Sequence, residues 1–205
     1  MKISVEAISK RFLQHNIFRN VSLNFETNNS YALLGANGSG KSTLLRIIAG
    51  MQAPTKGTVS YSLEEKLIPS DEIFKKISFC APGIELIEEM TLEEMLQFHF
   101  SFKKILNNLS VAEIIGIIGL EAAKDKFVGN FSSGMKQRVK LAQAIFSDTP
   151  VLMLDEPCTN LDQAGVEQYR DWVKQYSKNR LLIIASNEER EYDFCQHKIK
   201  MEAYK

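Results

Sequence analysis

A glycine-rich segment directly after a short apolar run limits most strongly what this chain can fold into. Residues 30–34 read Ser-Tyr-Ala-Leu-Leu, which is typical of a buried strand, and residues 35–43 read Gly-Ala-Asn-Gly-Ser-Gly-Lys-Ser-Thr. The apolar residues that follow predict a helix over 43–49, with Gly50 as its C-terminal cap. A strand, a glycine loop and a helix in this order indicate an α/β fold.

The loop matches the pattern G-x-x-x-x-G-K-[ST], which binds phosphate groups. Its glycines allow backbone angles and close approaches that a Cβ would forbid, so successive N–H groups can turn inward around an anion. Lys41 is expected to reach the β and γ phosphates, and Ser42 to ligate Mg²⁺. The alternative is a glycine-rich turn that binds nothing. The predicted nucleotide-binding residues of this loop are Gly35, Ala36, Asn37, Gly38, Ser39, Gly40, Lys41, Ser42 and Thr43.

A second buried strand ends in two acids. Residues 151–154 form an unbroken apolar run, which suits a parallel strand covered on both faces, and Asp155 and Glu156 follow. Carboxylates at the end of a buried strand are costly unless a positive charge offsets them, and Mg²⁺ would do so. We expect Asp155 to help hold the metal through water, and Glu156 to orient or deprotonate an attacking water. The alternative is a solvated acidic pair.

The remaining pattern places strands at both ends and helices between them. Alternating residues over 2–7 and 21–25 predict strands, and residues 85–147 are expected to be helical. Within that region, 91–94 and 110–113 match a capping box and each predicts a helix start. His99 falls on an apolar helix face, so we expect it to be a packed histidine rather than a ligand.

Composition excludes several classes of protein. The chain has 205 residues with 25 basic and 25 acidic side chains, a balance that argues against a nucleic-acid partner. No apolar run approaches the roughly 20 residues of a membrane span, and the N-terminus alternates like a strand rather than a signal peptide. Three scattered cysteines, Cys80, Cys158 and Cys195, suggest packing residues in a reducing, cytoplasmic compartment.

Residues 130–138 resemble the signature segment of ATP-binding cassette (ABC) ATPases. The usual order is Leu-Ser-Gly-Gly-Gln, and this chain has Phe-Ser-Ser-Gly-Met at 131–135. The resemblance covers nearly the whole chain and implies a P-loop NTPase fold of α/β class, with an N-terminal antiparallel β subdomain and an inserted helical subdomain. It implies one domain over 1–205, in which about 1–84 and 148–205 form the core with the β subdomain and about 85–147 the helical part. Ser132 and Gly134 would contact the γ-phosphate of a nucleotide bound by the opposite subunit.

Three more segments are similar to the family in order and spacing. Phe12 stands where an aromatic residue stacks on adenine, and residues 159–162 resemble the loop that crosses the dimer interface. Residues 180–186 resemble the strand that leads to the switch residue.

Two positions depart from the family. Pro82 stands where a glutamine normally contacts the metal and the attacking water, and Asn187 stands where a histidine senses the γ-phosphate. Proline offers no side-chain donor or acceptor, whereas the Asn187 amide can donate a hydrogen bond but cannot take up an additional proton and become positively charged. The predicted catalytic residues are Lys41, Glu156 and Asn187. Because the family's glutamine and histidine are both replaced, we expect ATP hydrolysis to be slow.

The resemblance implies an ATP-hydrolysing subunit of an ABC transporter. ATP would close a head-to-tail dimer against separate membrane subunits on the cytoplasmic side of the cell membrane, and residues 83–90 are the predicted docking segment. A soluble ABC protein of translation or repair is the alternative, although the short interval between Ser42 and Ser132 and the neutral charge fit it less well. A small-molecule kinase sharing only the phosphate loop would leave residues 132–134 and 159–162 unexplained.

Overall fold

Two sheets organise the molecule, and the computed structural model describes all 205 residues. The strands are β1 (Lys2–Phe12), β2 (His15–Glu26), β3 (Ser30–Leu34), β4 (Lys56–Leu63), β5 (Lys66–Ile68), β6 (Ile77–Cys80), β7 (Val151–Asp155), β8 (Leu181–Ser186) and β9 (His197–Lys200). The helices are α1 (Lys41–Ile48), α2 (Leu92–Phe102), α3 (Val111–Ile117), α4 (Ser133–Ile145), α5 (Gln163–Tyr176) and α6 (Glu189–Tyr192). The α/β class is therefore confirmed.

The two sheets have different strand directions. An antiparallel sheet has the order β2-β1-β4-β5, and a five-stranded parallel sheet has the order β6-β7-β8-β3-β9. In the parallel sheet the carboxyl ends of all five strands lie at one edge, which is where ligands of open α/β sheets bind. The loops after β3, β7 and β8 leave from this edge, so it brings three predicted functional segments together.

The hairpin of β1 and β2 is longer than its alternating residues predict. The strands run past the predicted ends at 7 and 21, and register shifts mark the added parts. Ala7 and Asn20 have positive φ angles of 48° and 51°, so the alternation of buried and exposed side chains is interrupted there. Ile3, Phe18 and Phe25 are fully buried between the antiparallel sheet and one face of the parallel sheet.

Helix α1 follows the phosphate loop and ends where the glycine predicts. It begins at Lys41, two residues before the predicted start, and Gly50 follows its last turn with φ 73°. The amides of Gly50 and Met51 donate to the carbonyls of Ile47 (3.0 Å) and Arg46 (2.9 Å), which is a Schellman motif. The ending of α1 is thus set by glycine's access to the left-handed region.

Between β6 and β7 the chain contains α2, α3 and α4, joined by loops and short 3₁₀ turns. Both predicted capping boxes are confirmed at the starts of α2 and α3. The three helices pack with α5 on the other face of the parallel sheet. His99 is confirmed as a packed residue: its Nε2 lies 3.0 Å from the Gln143 carbonyl oxygen, and burial lowers its pKa to about 4. The predicted helical region of 85–147 is therefore interrupted, but no regular strand enters it.

The three cysteines are free and buried, as the sequence predicts for packing residues. Burial raises the pKa of Cys80 and of Cys195 to about 12, so both are thiols at neutral pH. No helix combines the length and the apolar character that a bilayer span requires.

Candidate nucleotide site

The phosphate loop forms one wall of a cavity, called the nucleotide cavity here, at the carboxyl edge of the parallel sheet. The cavity encloses about 210 Å³, and its lining combines loop residues with one carboxylate from the end of β7. The lining residues are Ile17, Asn37, Gly38, Gly40, Lys41, Ser42, Thr43 and Glu156. The structure thus brings Glu156 to the loop from far along the chain.

Two glycines of the loop are required by close approaches. Gly35 and Gly40 have φ angles of 151° and 100°, in the region that L side chains rarely adopt. A Cβ on Gly35 would lie 2.6 Å from Ser39 Oγ, and one on Gly40 would lie 2.7 Å from Ile17 Cγ2. The path of the loop around its cavity therefore depends on glycine at both positions.

Lys41 is the cation of the loop. It is only 4% exposed, and its Nζ donates to the carbonyl oxygens of Gly35 (2.7 Å) and Ala36 (3.3 Å). These contacts hold the ammonium group over the loop, where an anion in the cavity would meet it. Ser39 is also buried, and its Oγ has no hydrogen-bond partner within the protein.

Ser42 and Asp155 supply two oxygens that face each other. The Ser42 hydroxyl donates to Asp155 Oδ1 at 2.8 Å, and Asp155 is 2% exposed. Burial raises the pKa of the Asp155 carboxyl, and the hydrogen bond from Ser42 opposes that shift. Mg²⁺ typically takes one or two protein oxygens and completes its shell with phosphate oxygens and waters. A buried carboxylate beside a hydroxyl fits that ligand set and would be stabilised by the cation.

Glu156 adopts a strained backbone conformation. Its φ of 44° lies in the left-handed region, which is uncommon for a residue with a side chain. Its amide donates to the Ala185 carbonyl oxygen in β8 at 2.9 Å, and its carbonyl oxygen accepts the Thr159 hydroxyl at 2.9 Å. Such strain costs about 1–3 kcal/mol and persists where the surroundings hold it, commonly at functional sites.

The predicted switch position also reaches the loop. Asn187 follows β8 directly, and its Nδ2 donates to Asn37 Oδ1 at 3.2 Å. Pro82 is not among the cavity's lining residues, and its carbonyl oxygen accepts a hydrogen bond from Lys140 Nζ at 3.0 Å. Position 82 therefore provides a backbone carbonyl that accepts a hydrogen bond from Lys140 of α4, and it has no side-chain amide.

Phe12 and Ile17 differ in their relation to the cavity. Phe12 is 47% exposed at the end of β1, and Lys10 Nζ lies 4.9 Å from the centre of its ring, but it does not line the cavity. Ile17 does line it, packed against Gly40, although no sequence motif marks this residue. The pairing of β2 with β1 turns this side chain toward the loop. A single isoleucine in a strand does not indicate from the sequence which segment it will contact.

The signature segment forms a separate cavity. Ser132 caps α4 by accepting the Met135 amide at 3.2 Å, and a Cβ on Gly134 would lie 3.0 Å from the Asn160 carbonyl oxygen. The cavity encloses about 400 Å³ and shares no lining residue with the nucleotide cavity. Its lining residues are Ser132, Ser133, Gly134, Met135, Arg138, Asn160, Leu161 and Asp162. Two predicted segments, 132–134 and 159–162, thus form one wall.

Comparison with known proteins identifies the family. The family model described as ABC transporter matches residues 18–159. The uncharacterized ABC transporter ATP-binding protein YybJ of Bacillus subtilis is 34% identical over 195 residues, covering 92% of this chain and 86% of that protein. The sulfate/thiosulfate import ATP-binding protein CysA of Thermosynechococcus vestitus is 33% identical over 85% of this chain. The match spans 53% of CysA, so this chain covers about half the length of that relative.

A solved structure has the same fold. The dimeric structure of MJ0796, a bacterial ABC transporter cassette, superposes with a TM-score of 0.81 at 22% identity, covering 97% of this chain and 94% of that one. The same cassette has been solved in a post-hydrolysis state bound to ADP and Pi. Since the family model matches well over half of the chain and YybJ is similar over most of both lengths, this protein belongs to the ABC transporter family of ATP-binding proteins, which are ATPases.

Proposed function

We propose that this chain binds ATP in the cavity formed by residues of the phosphate loop and hydrolyses it to power a transporter. The hydrogen bond between Ser42 and Asp155 is the observation that carries this proposal, because it joins the loop to the acidic end of β7 beside the cavity. In this proposal Lys41 neutralises the β and γ phosphates, and the loop amides bind them from the opposite side.

Hydrolysis would depend on Glu156 and Asn187. Glu156 lines the cavity and would orient the attacking water or accept its proton, while Asn187 would donate its amide to the γ-phosphate. Mg²⁺, held through Ser42 and Asp155, would supply charge stabilisation for the transferred phosphoryl group. We propose slow turnover, because the neutral Asn187 amide replaces a group that can carry a proton.

The signature cavity would complete the site of a second copy. Its Ser132 hydroxyl and the amides at the start of α4 can bind an anion, but it contains no lysine and no carboxylate from the end of a strand. A head-to-tail dimer would place the signature cavity of one copy over the phosphate loop of the other. The MJ0796 cassette, which has the same fold, is dimeric, and this supports a dimer by analogy.

A third cavity supports docking of a membrane partner. It encloses about 370 Å³, and Met51 and Phe74, both on its wall, are 60% and 62% exposed. His99 and Lys103 of the helical segment line it together with residues before β6, so it lies between the core and the helices. None of residues 83–90 lines it. We propose that a membrane subunit docks at this cavity and at the neighbouring residues 83–90. In this proposal residues 85–147 act as a helical subdomain. The protein would then work at the cytoplasmic face of the membrane.

Mixing two inactive variants tests the composite site. Lys41→Ala removes the loop cation but keeps the signature, and Ser132→Arg blocks the signature but keeps the loop. A mixed dimer has one intact composite site out of two, and random pairing in an equal mixture makes half of the dimers mixed. We expect the mixture to regain ATPase activity that neither variant has alone, up to about a quarter of the parent rate. A mixture of folded variants that stays as inactive as either one alone contradicts the head-to-tail site.

A further inference from the structure

Residues 156–159 form a turn, called the acid turn here, whose first residue is the strained Glu156. Left-handed backbone at a glutamate persists only when its surroundings hold it in place. Three elements supply hydrogen bonds to the turn. The bonds are Glu156 N–H to the Ala185 carbonyl oxygen (2.9 Å), Gln137 Nε2 to the Pro157 carbonyl oxygen (2.7 Å), and Cys158 N–H to Glu191 Oε1 (2.7 Å).

Glu191 is the unusual member of this set, because it is an ionisable side chain with 2% exposure and no cation beside it. Burial raises the pKa of its carboxyl, and the hydrogen bond from the Cys158 amide opposes the shift. Its second oxygen, Oε2, has no hydrogen-bond partner within the protein. Burying a carboxyl costs free energy that an apolar side chain would avoid. The contact with Cys158 is therefore the feature that a glutamate provides and an apolar side chain does not.

The backbone of Glu191 is fixed as well. The Tyr169 hydroxyl donates to its carbonyl oxygen at 2.9 Å, and Tyr169 is completely buried in α5. Glu191 lies in α6, the short helix that begins just after Asn187. One side chain thus connects the segment after the switch position to the turn that carries Glu156.

We propose that Glu191 is a positioning residue for hydrolysis. Its Oε1 holds the Cys158 amide, keeps the acid turn in its strained conformation, and so keeps the Glu156 carboxylate directed into the nucleotide cavity. It acts through Glu156 and touches no substrate. The inference rests on the proposed role of Glu156 in hydrolysis.

Two substitutions separate the reach of the side chain from its charge. Glu191→Gln keeps an acceptor oxygen at the same reach and loses the charge. Glu191→Asp keeps the charge but shortens the side chain by one methylene, about 1.5 Å, which takes the oxygen beyond hydrogen-bond distance of the Cys158 amide. We expect Glu191→Asp to lower kcat roughly 10-fold to 10²-fold, as for a small misplacement of a reacting group. We expect Glu191→Gln to stay within about 3-fold of the parent, and ATP affinity to change by less than about 3-fold in both.

The measurement is single-turnover ATP hydrolysis beside nucleotide titration, at a temperature well below the Tm of every variant. Glu189→Ala, on the same short helix and exposed, is the matched control and should hydrolyse ATP at the parent rate. Parent-like kcat in Glu191→Asp overturns the proposal, since the residue would then only fill space. Loss of activity in Glu191→Gln with retention in Glu191→Asp also overturns it, since charge rather than reach would matter.

A double variant connects the effect to Glu156. If Glu191 acts through that carboxylate, adding Glu191→Asp to Glu156→Gln should lower hydrolysis no further. A further loss of the same size as in the single variant contradicts the positioning role. Equal rates in the parent and in Glu156→Gln alone would instead overturn the proposed role of Glu156, so the two failures are distinguishable.

Discussion

The nucleotide cavity and the signature cavity both use the start of a helix, but they differ in charged groups. The nucleotide cavity contains the buried Lys41 and the carboxylate of Glu156. The signature cavity contains the Ser132 hydroxyl, the amides at the start of α4 and Arg138, whose guanidinium lies 3.8 Å from Asp162. A cavity with its own lysine can retain a triphosphate alone, whereas the other can only add hydrogen bonds to an anion already held. We therefore expect substitutions in the nucleotide cavity to reduce ATP binding, and substitutions in the signature cavity to reduce closure of the dimer.

The largest expected effect is on the nucleotide cavity. Lys41→Ala removes two charge-assisted contacts to phosphate, each worth about 1.5–3 kcal/mol. At one factor of ten per 1.4 kcal/mol, ATP affinity should fall roughly 10²-fold to 10⁴-fold. Fluorescence titration with a nucleotide analogue measures the loss. Lys174→Ala, an exposed lysine on α5, is the control and should bind like the parent. Unchanged affinity in Lys41→Ala would remove the basis for assigning the cavity.

Glu156→Gln should separate binding from chemistry at the same cavity. A general base contributes about 10²–10⁴ in rate, and glutamine of the same size preserves the contacts of the acid turn. We expect hydrolysis to fall by at least about 10² while ATP and Mg²⁺ still bind. A dimer that forms on binding and opens on hydrolysis should then accumulate, as measured by light scattering. If only monomer is present at saturating ATP, closure requires the membrane partner or does not occur.

Ser132→Arg should affect only the signature cavity. The larger cation would fill the space where the second copy's nucleotide enters, so dimer formation with ATP should fail while binding by the monomer is unchanged. The substitution also removes the N-cap of α4, which costs about 1 kcal/mol. Ser132→Ala loses the cap and the hydroxyl without adding bulk, so the dimer should weaken less in this variant than in Ser132→Arg. Equal loss of dimer in both variants would indicate that the hydroxyl or the helix cap, rather than the added bulk, decides whether the dimer forms.

The sequence predicts those structural elements that depend on residues close to each other in the chain. The glycine loop, the end of α1 at Gly50 and both capping boxes follow from residues within a few positions of each other. Arg180 shows the opposite case: the sequence identified it only as the start of a strand. It is 5% exposed and donates to the Ile145 and Thr149 carbonyl oxygens and to Ser78 Oγ. Contacts so distant in sequence give no periodic signal.

The residues of the candidate site also fall into two groups, those that a sequence motif predicts and those whose position depends on the fold. The phosphate loop predicts Lys41 as a phosphate contact and Ser42 as a metal ligand, and the acidic end of the strand predicts Asp155 as the second metal ligand. The structure brings the Ser42 hydroxyl to 2.8 Å from Asp155 Oδ1. Ile17 was not predicted, because its place against Gly40 depends on strand register. Glu191 was not predicted either, because an acidic residue among several in 188–191 reads as an exposed helix turn. Its burial arises from the packing of α6 against the acid turn and Tyr169.

The smallest expected effect tests the switch position itself. Asn187 is exposed, and its amide already contacts Asn37 in the phosphate loop, so the backbone presents position 187 to the cavity. A donor of this kind is typically worth about 3–4 kcal/mol in the transition state, and we expect the asparagine amide to retain part of that. Phosphoryl transfer depends on positioning and charge stabilisation, so a histidine here should act on turnover more than on affinity.

Asn187→His should therefore raise kcat several-fold with little change in ATP affinity, and Asn187→Ala, which has no donor, should lower it. Steady-state hydrolysis measured beside nucleotide titration distinguishes the two effects. Restoring glutamine by Pro82→Gln is a less direct test, because it changes backbone freedom as well as adding an amide. An Asn187→His variant no faster than the parent, together with a fully active Asn187→Ala variant, would mean that another group senses the γ-phosphate. The nucleotide cavity would then differ from the family in its chemistry as well as in its sequence.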